Sequence, residues 1–428
     1  MKLNIKQLAL LAISVAALAG TTACDDKLDA VQARVAPQVE MAMPASLEGA
    51  KIVSERIEVK NVSTGRSTVF TSWTDVELAP GLYDFGYEAE VELDGVTRHV
   101  TAFSPSVELT GGAATVQLQV FENLVNDDFI IEEIFFTGTL QSSGNQYYGD
   151  DYVKIYNNTD HVLYADGLTF VESKFLTTEK YDFKPDIMGQ AMTVQALYTI
   201  PGSGKDHPVL PGESLLLCDT GIDHRVANPN SFDLSGADFE WYDISTQPAH
   251  LDIDGPTVEN LDKWYCYTLS FFLLHNRGFR AWALARIPVD KENYLQNYRY
   301  SYNYIIMNDK GTFPMSQNAY RLPNEWIVDA VNCSVEAEYR WNVTAPTLDR
   351  GWTYCGTMDH DKTRYFHSVR RKLLYVKDGR AVFQDTNNST ADFNPHCVPS
   401  EIENQGTAIN AEGARSTGRT WDGVVPRD

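Results

Sequence analysis

The sequence predicts an all-β protein: a small N-terminal β-sandwich followed by a larger, insertion-rich one. Apolar residues recur at every second position through much of the chain. Turn-forming pairs such as Asp94-Gly95, Gly111-Gly112, Asp166-Gly167 and Pro211-Gly212 interrupt that alternation. Alternation broken by such pairs is the pattern of antiparallel strands with one solvated face. The composition, 43% hydrophobic and 11% aromatic, supplies enough apolar side chain for packed cores and excludes a disordered chain. At 428 residues the chain is long enough for two or three domains.

The first folded unit is expected over residues 39–122. Tyr87, Ala89, Val91 and Leu93 alternate with Glu88, Glu90 and Glu92, and the strand stops at Asp94-Gly95. Val116, Leu118 and Val120 alternate with Gln117 and Gln119; Ile57 and Val59 alternate with charged neighbours. The three glutamates read as a solvated face. Pro80-Gly81-Leu82-Tyr83 resembles the Pro-Gly-x-Tyr turn of prealbumin-like and immunoglobulin-like modules in bacterial surface proteins.

Asn123 to Asp128 reads as a hinge, and residues 127–400 as a second β domain, with 401–428 as a C-terminal extension. Phe129 to Phe136 is a nearly continuous apolar strand. Asn157-Asn158 and Asn387-Asn388 suit turns held by side-chain bonds to the backbone. Arg370 or Arg371 can pair with Asp385 or Asp392 across neighbouring strands. The order of Tyr152-Val153-Lys154-Ile155, Asp166-Gly167-Leu168, Pro211-Gly212-Glu213, Trp326-Ile327-Val328-Asp329-Ala330-Val331 and Asp385-Thr386-Asn387-Asn388-Ser389 resembles the lamin-tail domain, an immunoglobulin-like β-sandwich. Lys154 departs from the Glu usual in that domain. The region is about twice the usual length, with insertions expected near 172–208, 224–262 and 288–320. The whole chain is similar to an uncharacterised family of Bacteroidota surface lipoproteins. That resemblance implies a surface protein whose relatives accompany outer-membrane receptors for nutrient uptake.

The N-terminus carries an address. Lys2 and Lys6 precede an apolar run from Leu8 to Gly20, then small residues, then Cys24. This is the layout of a secretory signal, residues 1–23, and the run is too short to span a bilayer. Cys24 after small residues resembles a lipobox, although Thr21 stands where Leu is usual, so acylation of Cys24 is expected. Asp25 and Asp26 resemble the acidic surface-export signal of Bacteroidota lipoproteins, which implies an outer-membrane anchor facing the cell exterior. Residues 24–38 then form a flexible tether.

Charge narrows the partners. With 35 Lys+Arg against 58 Asp+Glu the net is −23, and a nucleic acid needs a basic stripe that this chain lacks. Reactive-site motifs occur only as near misses. Gly202-Ser203-Gly204-Lys205-Asp206 lacks the first Gly and the Ser/Thr of a phosphate loop, and Asp252-Ile253-Asp254-Gly255 lacks the other ligands of a calcium loop. No nucleophile elbow or zincin motif is present. His360 and His367, with Asp359 and Asp361, are the best metal candidates, though more simply a surface loop. Of the cysteines after Cys24, Cys218 reads as a buried core thiol, and Cys333 with Cys355 as a disulfide across a hairpin-like excursion.

The strongest binding signal is aromatic. Tyr298, Tyr300, Tyr302 and Tyr304 alternate with polar residues, which puts four phenols on one strand face, and Trp241 and Trp264 lie in the neighbouring insertions. A row of rings with hydrogen-bonding tips can bind sugars or a protein; packed inward, the same row lines a hairpin. The sequence therefore favours a binding or accessory lipoprotein that is not an enzyme, needs no cofactor, and serves an outer-membrane receptor or a glycan ligand. The alternatives are a surface hydrolase using carboxylates or a His/Asp metal, and a structural or adhesive protein.

Overall fold

In the computed structural model, residues 34–110, 114–123, 126–245, 252–268 and 270–406 are described. The signal segment, Cys24, Asp25 and Asp26 lie outside them, as does most of the C-terminal extension.

Strands Lys51–Asn61, Ser67–Phe70, Gly81–Leu93, Val96–Leu109 and Phe121–Glu122 form one antiparallel sheet. Gln38–Ala42 and Thr115–Gln119 pair in parallel as a second, two-stranded sheet. Tyr87, Ala89 and Val91 are buried against Val116, Leu118 and Val120, while Glu88, Glu90 and Glu92 face solvent. The alternation therefore lies as expected. At the tip of the long hairpin both Asp94 and Gly95 have positive φ, 53° and 76°, the requirement of a two-residue type I′ turn. The Pro-Gly-x-Tyr segment ends in a buried Tyr83 whose hydroxyl donates to the Ala79 carbonyl at 3.0 Å.

The larger unit packs two sheets face to face. One sheet has Tyr152–Tyr156, Ile130–Phe135 and Ser368–Arg371 at its centre. The other has Ala191–Thr199, Leu168–Ser173, Ala281–Arg286 and Ile327–Ser334, extended by the long hairpin Arg299–Asn308 and Gly311–Pro323. Between them lie Ile131, Val153, Ile155 and Val369 from the first sheet and Phe170, Trp282 and Val331 from the second. The second sheet is buried on both faces. In Ala281–Arg286, Trp282 and Leu284 point into the sandwich, and Ala281, Ala283 and Ala285 join an outer cluster with Tyr294, Trp341 and Val343. Small alanines on that face allow large rings to approach. One expectation is corrected here. Residues 172–208 are not simply an insertion, because Ala191–Thr199 is an interior strand that pairs with Leu168–Ser173 on one side and Gly311–Pro323 on the other.

Arg371 sits at the junction of the two sheets. It is fully buried, donating to the Ile131 carbonyl (2.7 Å), to Asp329 Oδ2 (2.5 Å), to the Gln384 carbonyl (3.0 Å) and to Asp385 Oδ1 (3.3 Å). Asp392 lies 4.0 Å away and holds the following loop through Thr386 and Asn388. Burial pushes the Asp329 and Asp392 carboxyls above the usual range, and the Arg371 charge opposes that shift. The expected Arg–Asp pairing is thus present, with Asp329 as an additional partner. Of the paired asparagines, Asn157 holds its own turn, accepting from the Thr159 amide, while Asn387 ties its loop to a distant segment. Asn157 Nδ2 donates to the His161 and Val209 carbonyls, and Asn387 Nδ2 to the Thr347 carbonyl.

The hairpin Leu373–Lys377 and Arg380–Phe383 leaves the sandwich to meet the N-terminal sheet. Tyr375 hydrogen-bonds Thr101 Oγ1 at 2.7 Å, Lys377 pairs with Glu58 at 2.9 Å, and Lys60 pairs with Asp378.

Replacing Arg371 with Met leaves three buried carboxylates without their cation. The expected loss is about 3–5 kcal/mol of stability, measured by urea denaturation followed by tryptophan fluorescence. A loss under about 1 kcal/mol would show that the network is dispensable.

Candidate functional site

The segment between strands Leu168–Ser173 and Ala191–Thr199 folds over the long hairpin. Phe175 and Phe183 stack at 3.9 Å with their planes 10° apart. Tyr302 meets both edge-on, at 5.1 and 5.5 Å. Lys184 exchanges backbone hydrogen bonds with Asn303, and the Tyr300 hydroxyl donates to the Pro185 carbonyl at 2.5 Å. The segment therefore acts as a lid on the tyrosine row.

Of the two readings of the row, the structure takes the inward-packed one, not the exposed platform. Strand alternation does place the tyrosines on one face, but Tyr300 and Tyr302 are only 6% and 3% exposed. Tyr304 is half-buried against Tyr181 at 4.9 Å, and Tyr298 precedes the strand and stacks on Tyr294 at 5.2 Å. Trp241 is wholly buried in the sandwich, its Nε1 donating to Asp219 at 2.7 Å. Trp264 packs at 5.8 Å against Tyr294. Aromatic density on that face was large enough to recruit its own cover, and the apolar rings are buried by it.

The cover leaves a cavity of about 560 Å³, lined by Phe175, Tyr181, Phe183, Tyr300 and Trp341. Lys180, Asp182, Asp186, Thr193 and Thr344 add polar groups to the wall. The Trp341 indole is fixed, because Nε1 donates to the carbonyls of Leu176 and Glu179, both at 2.9 Å. Lys180 Nζ sits 5.7 Å from the centroid of that ring. Burial raises the Tyr300 phenol above its usual range; burial and then the Glu179 charge do the same for Tyr181. Both phenols are therefore neutral near pH 7; their protons go to the Pro185 carbonyl and to Glu179, which leaves the phenol oxygens as acceptors. The volume lies in the range of small-molecule sites, and rings beside a few polar groups suit a ligand with both apolar faces and hydroxyls.

The other predicted residues do not converge. His360 is exposed and 3.4 Å from Asp359, which itself binds Arg277 at 2.6 Å. His367 stacks on His396 at 3.7 Å. Among the described residues no group of three His, Cys, Asp or Glu side chains has a geometry that could hold a metal ion. The expected Cys333–Cys355 bridge is not formed. Both are buried thiols, as are all the described cysteines, Cys218 among them. Parallel pairing sets Cys333 opposite Thr353, so Cys355 is displaced two residues along the neighbouring strand. The glycine loop at 202–206 is occupied by its own chain: the amides of Gly204, Asp206 and His207 donate to the Asp166 carboxylate at 2.9–3.0 Å. Those bonds pull the Asp166 carboxyl below its usual range despite burial.

Lid residues Phe175 to Met188 and the Trp341 segment carried no sequence motif, because they meet the tyrosine row only through contacts more than 100 residues apart. The aromatic spacing of Tyr181 and Phe183 was the one signal that could have drawn attention to them.

Residues 210–400 match the model of a family described as "Protein of unknown function (DUF4876)". The match starts at the Pro211-Gly212 turn and includes the tyrosine hairpin and Trp341, but not the lid. The chain is also similar to the crystal structure, at 2.50 Å resolution, of a DUF4876 family protein from Bacteroides thetaiotaomicron. That likeness has a TM-score of 0.56 at 20% identity, covering 87% of this chain and 98% of the other; at that identity it speaks for the fold. Comparison with curated proteins finds no match.

His396 yields a pH prediction. Its Nδ1 accepts from the Gly356 amide at 3.2 Å, and burial with the neighbouring His367 pushes its pKa down to about 4. The unfolded chain protonates first, so stability should fall as pH drops from about 6.5 to about 4. His396 has φ +55°, which Asn tolerates. His396→Asn should make that decline shallower by about 1–2 kcal/mol, allowing for solvent screening. Denaturation series at pH 4, 5, 6 and 7 measure it; parallel curves for the two proteins would refute the assignment.

Proposed function

We propose that this protein is a binding or accessory lipoprotein of the cell surface, without catalytic activity, whose ligand site is the cavity under the Phe175–Met188 lid. The observation that carries the reading is the cavity itself: five rings, with Lys180, Thr193 and other polar side chains in the wall, around about 560 Å³. Such a wall recognises the apolar faces of sugar rings while its phenols and carboxylates meet their hydroxyls, so a glycan fragment is the proposed ligand. An immunoglobulin-like, lamin-tail-like arrangement of the larger sandwich accords with the order of its motifs. Acylation at Cys24, with Asp25 and Asp26 as export signal, would hold the protein on the outer membrane facing outward, beside a nutrient-uptake receptor. The acidic surface resists non-specific adhesion, as a surface setting requires.

Replacing the buried Tyr300 or Tyr302 would test stability rather than binding. The informative variant is Lys180→Ala with Tyr181→Ala, at the exposed side of the cavity. Glycan-array binding of the native chain is expected, with affinity for the best glycan at least tenfold lower in the variant, about 1.4 kcal/mol. Equal binding by both proteins would remove the cavity from the reading.

The anchor has its own test. Cys24→Ser should abolish metabolic labelling with palmitate and move the protein from the membrane to the soluble fraction; unchanged labelling would refute acylation at that position.

A further inference from the structure

A second cavity, of about 210 Å³, borders the same strand that carries Thr193, beside a break in register. Ser173 pairs with Val194 but Glu172 pairs with Ala196, so Gln195 is an extra residue bulged out of the ladder. Gln195 is 2% exposed. Its Nε2 donates to Glu172 Oε1 at 2.7 Å, while its Oε1 has no hydrogen-bond partner. Glu172, equally buried, also accepts from Trp282 Nε1 at 3.0 Å and from the His275 amide. Arg280 Nη1 donates to the Lys174 carbonyl at 2.5 Å. Its buried Nε lies 3.8 Å from Glu172 Oε1 and makes no hydrogen bond. One buried neutral acceptor and one buried cationic donor, on two residues that line the cavity, are therefore unmet, a costly arrangement in a folded interior.

The charges around the cavity have a sign. In the lining Arg280 faces the single carboxylate of Glu172; Lys174, outside the lining but over the Tyr267 ring at its edge, adds a second cation, in a chain whose net charge is −23. Lys174 Nζ lies 5.5 Å from the Tyr267 ring centroid, with no carboxylate in ion-pair reach among the described residues. His275 adds no charge, because burial and the nearby Arg280 and Arg277 push its pKa down to about 3. Its Nδ1 accepts from the Phe279 amide at 3.4 Å, which leaves the proton on Nε2. Phe271, Leu273 and Leu274 give the cavity an apolar wall, and the half-exposed rings of Tyr148 and Tyr267 flank its mouth.

We infer that this chamber binds a small hydroxylated carboxylate, a single sugar-acid ring, with its carboxylate toward Arg280 and Lys174 and a hydroxyl donating to Gln195 Oε1. The charge selects an anion, the unmet amide oxygen demands a donor on the same molecule, and the volume limits it to about one ring. The inference does not depend on the aromatic cavity being a ligand site.

The test is calorimetric titration of the full chain with D-galacturonate, with D-galactose as the neutral counterpart. Saturable one-site binding of galacturonate is expected, at least tenfold tighter than galactose and weakened several-fold between 50 and 500 mM NaCl. Arg280→Gln would leave Glu172 buried without its cation, so Gln195→Leu and the half-exposed Lys174→Gln are the variants of choice, each checked by its melting curve. Each should weaken galacturonate at least fivefold. Lys180→Ala with Tyr181→Ala, in the aromatic cavity, should leave it unchanged. Absence of saturable binding, equal affinity for galactose, or full affinity in both Gln195→Leu and Lys174→Gln would overturn the inference. So would loss of binding in the aromatic-cavity variant.

Discussion

A single buried guanidinium organises the larger half of this protein. Removing Arg371 from water carries a penalty that only complete pairing offsets. The chain meets that demand with partners drawn from three places: the strand Ile130–Phe135 in one sheet, Asp329 in the other, and the loop from Gln384 to Asp392. Because none of these segments can shift without uncovering charge, the register between the sheets is fixed at that point. The constraint extends to the hinge, since Asn123 Oδ1 accepts from the Asp385 amide and Asn126 Nδ2 donates to the Asp385 carboxylate. The link between the two units is thus tied into the same polar knot.

Local patterns in the sequence were sufficient for the all-β class, the solvated glutamate face, the Asp94-Gly95 turn and the Arg–Asp pairing. Each depends on residues close in sequence or on charges with few places to go. The tyrosine row shows where such reading stops. Alternation correctly places Tyr300, Tyr302 and Tyr304 on one face, but whether that face meets water depends on Phe175 and Phe183, more than 100 residues earlier. Cys333 and Cys355 fail for a related reason: a hairpin was assumed where the strands run parallel, and parallel register offsets the two thiols. The bulge at Gln195 left no trace in the pattern at all, since an extra residue in a fully buried strand changes no hydropathy.

The candidate sites arise at departures from regular pairing. The lid leaves the sheet between two adjacent strands and encloses space as it returns; the bulge turns an amide and a carboxylate toward each other beside a cation. By contrast, the loop that most resembled an anion site is already filled by Asp166, and its amides serve the fold. Whether a backbone nest or a charged cluster is available thus depends on what the rest of the chain places in it.

The pairing of Gln38–Ala42 with Thr115–Gln119 has a mechanical consequence. The first strand lies near the chain's entry to the N-terminal unit, only the two-residue strand Phe121–Glu122 separates the end of the second from its exit, and the two run parallel over five residue pairs. Tension along the polypeptide therefore pulls the strands past one another, loading their hydrogen bonds together instead of unzipping them singly. A unit closed in this way is a shear clamp, able to transmit force from one end of the chain to the other without opening its core.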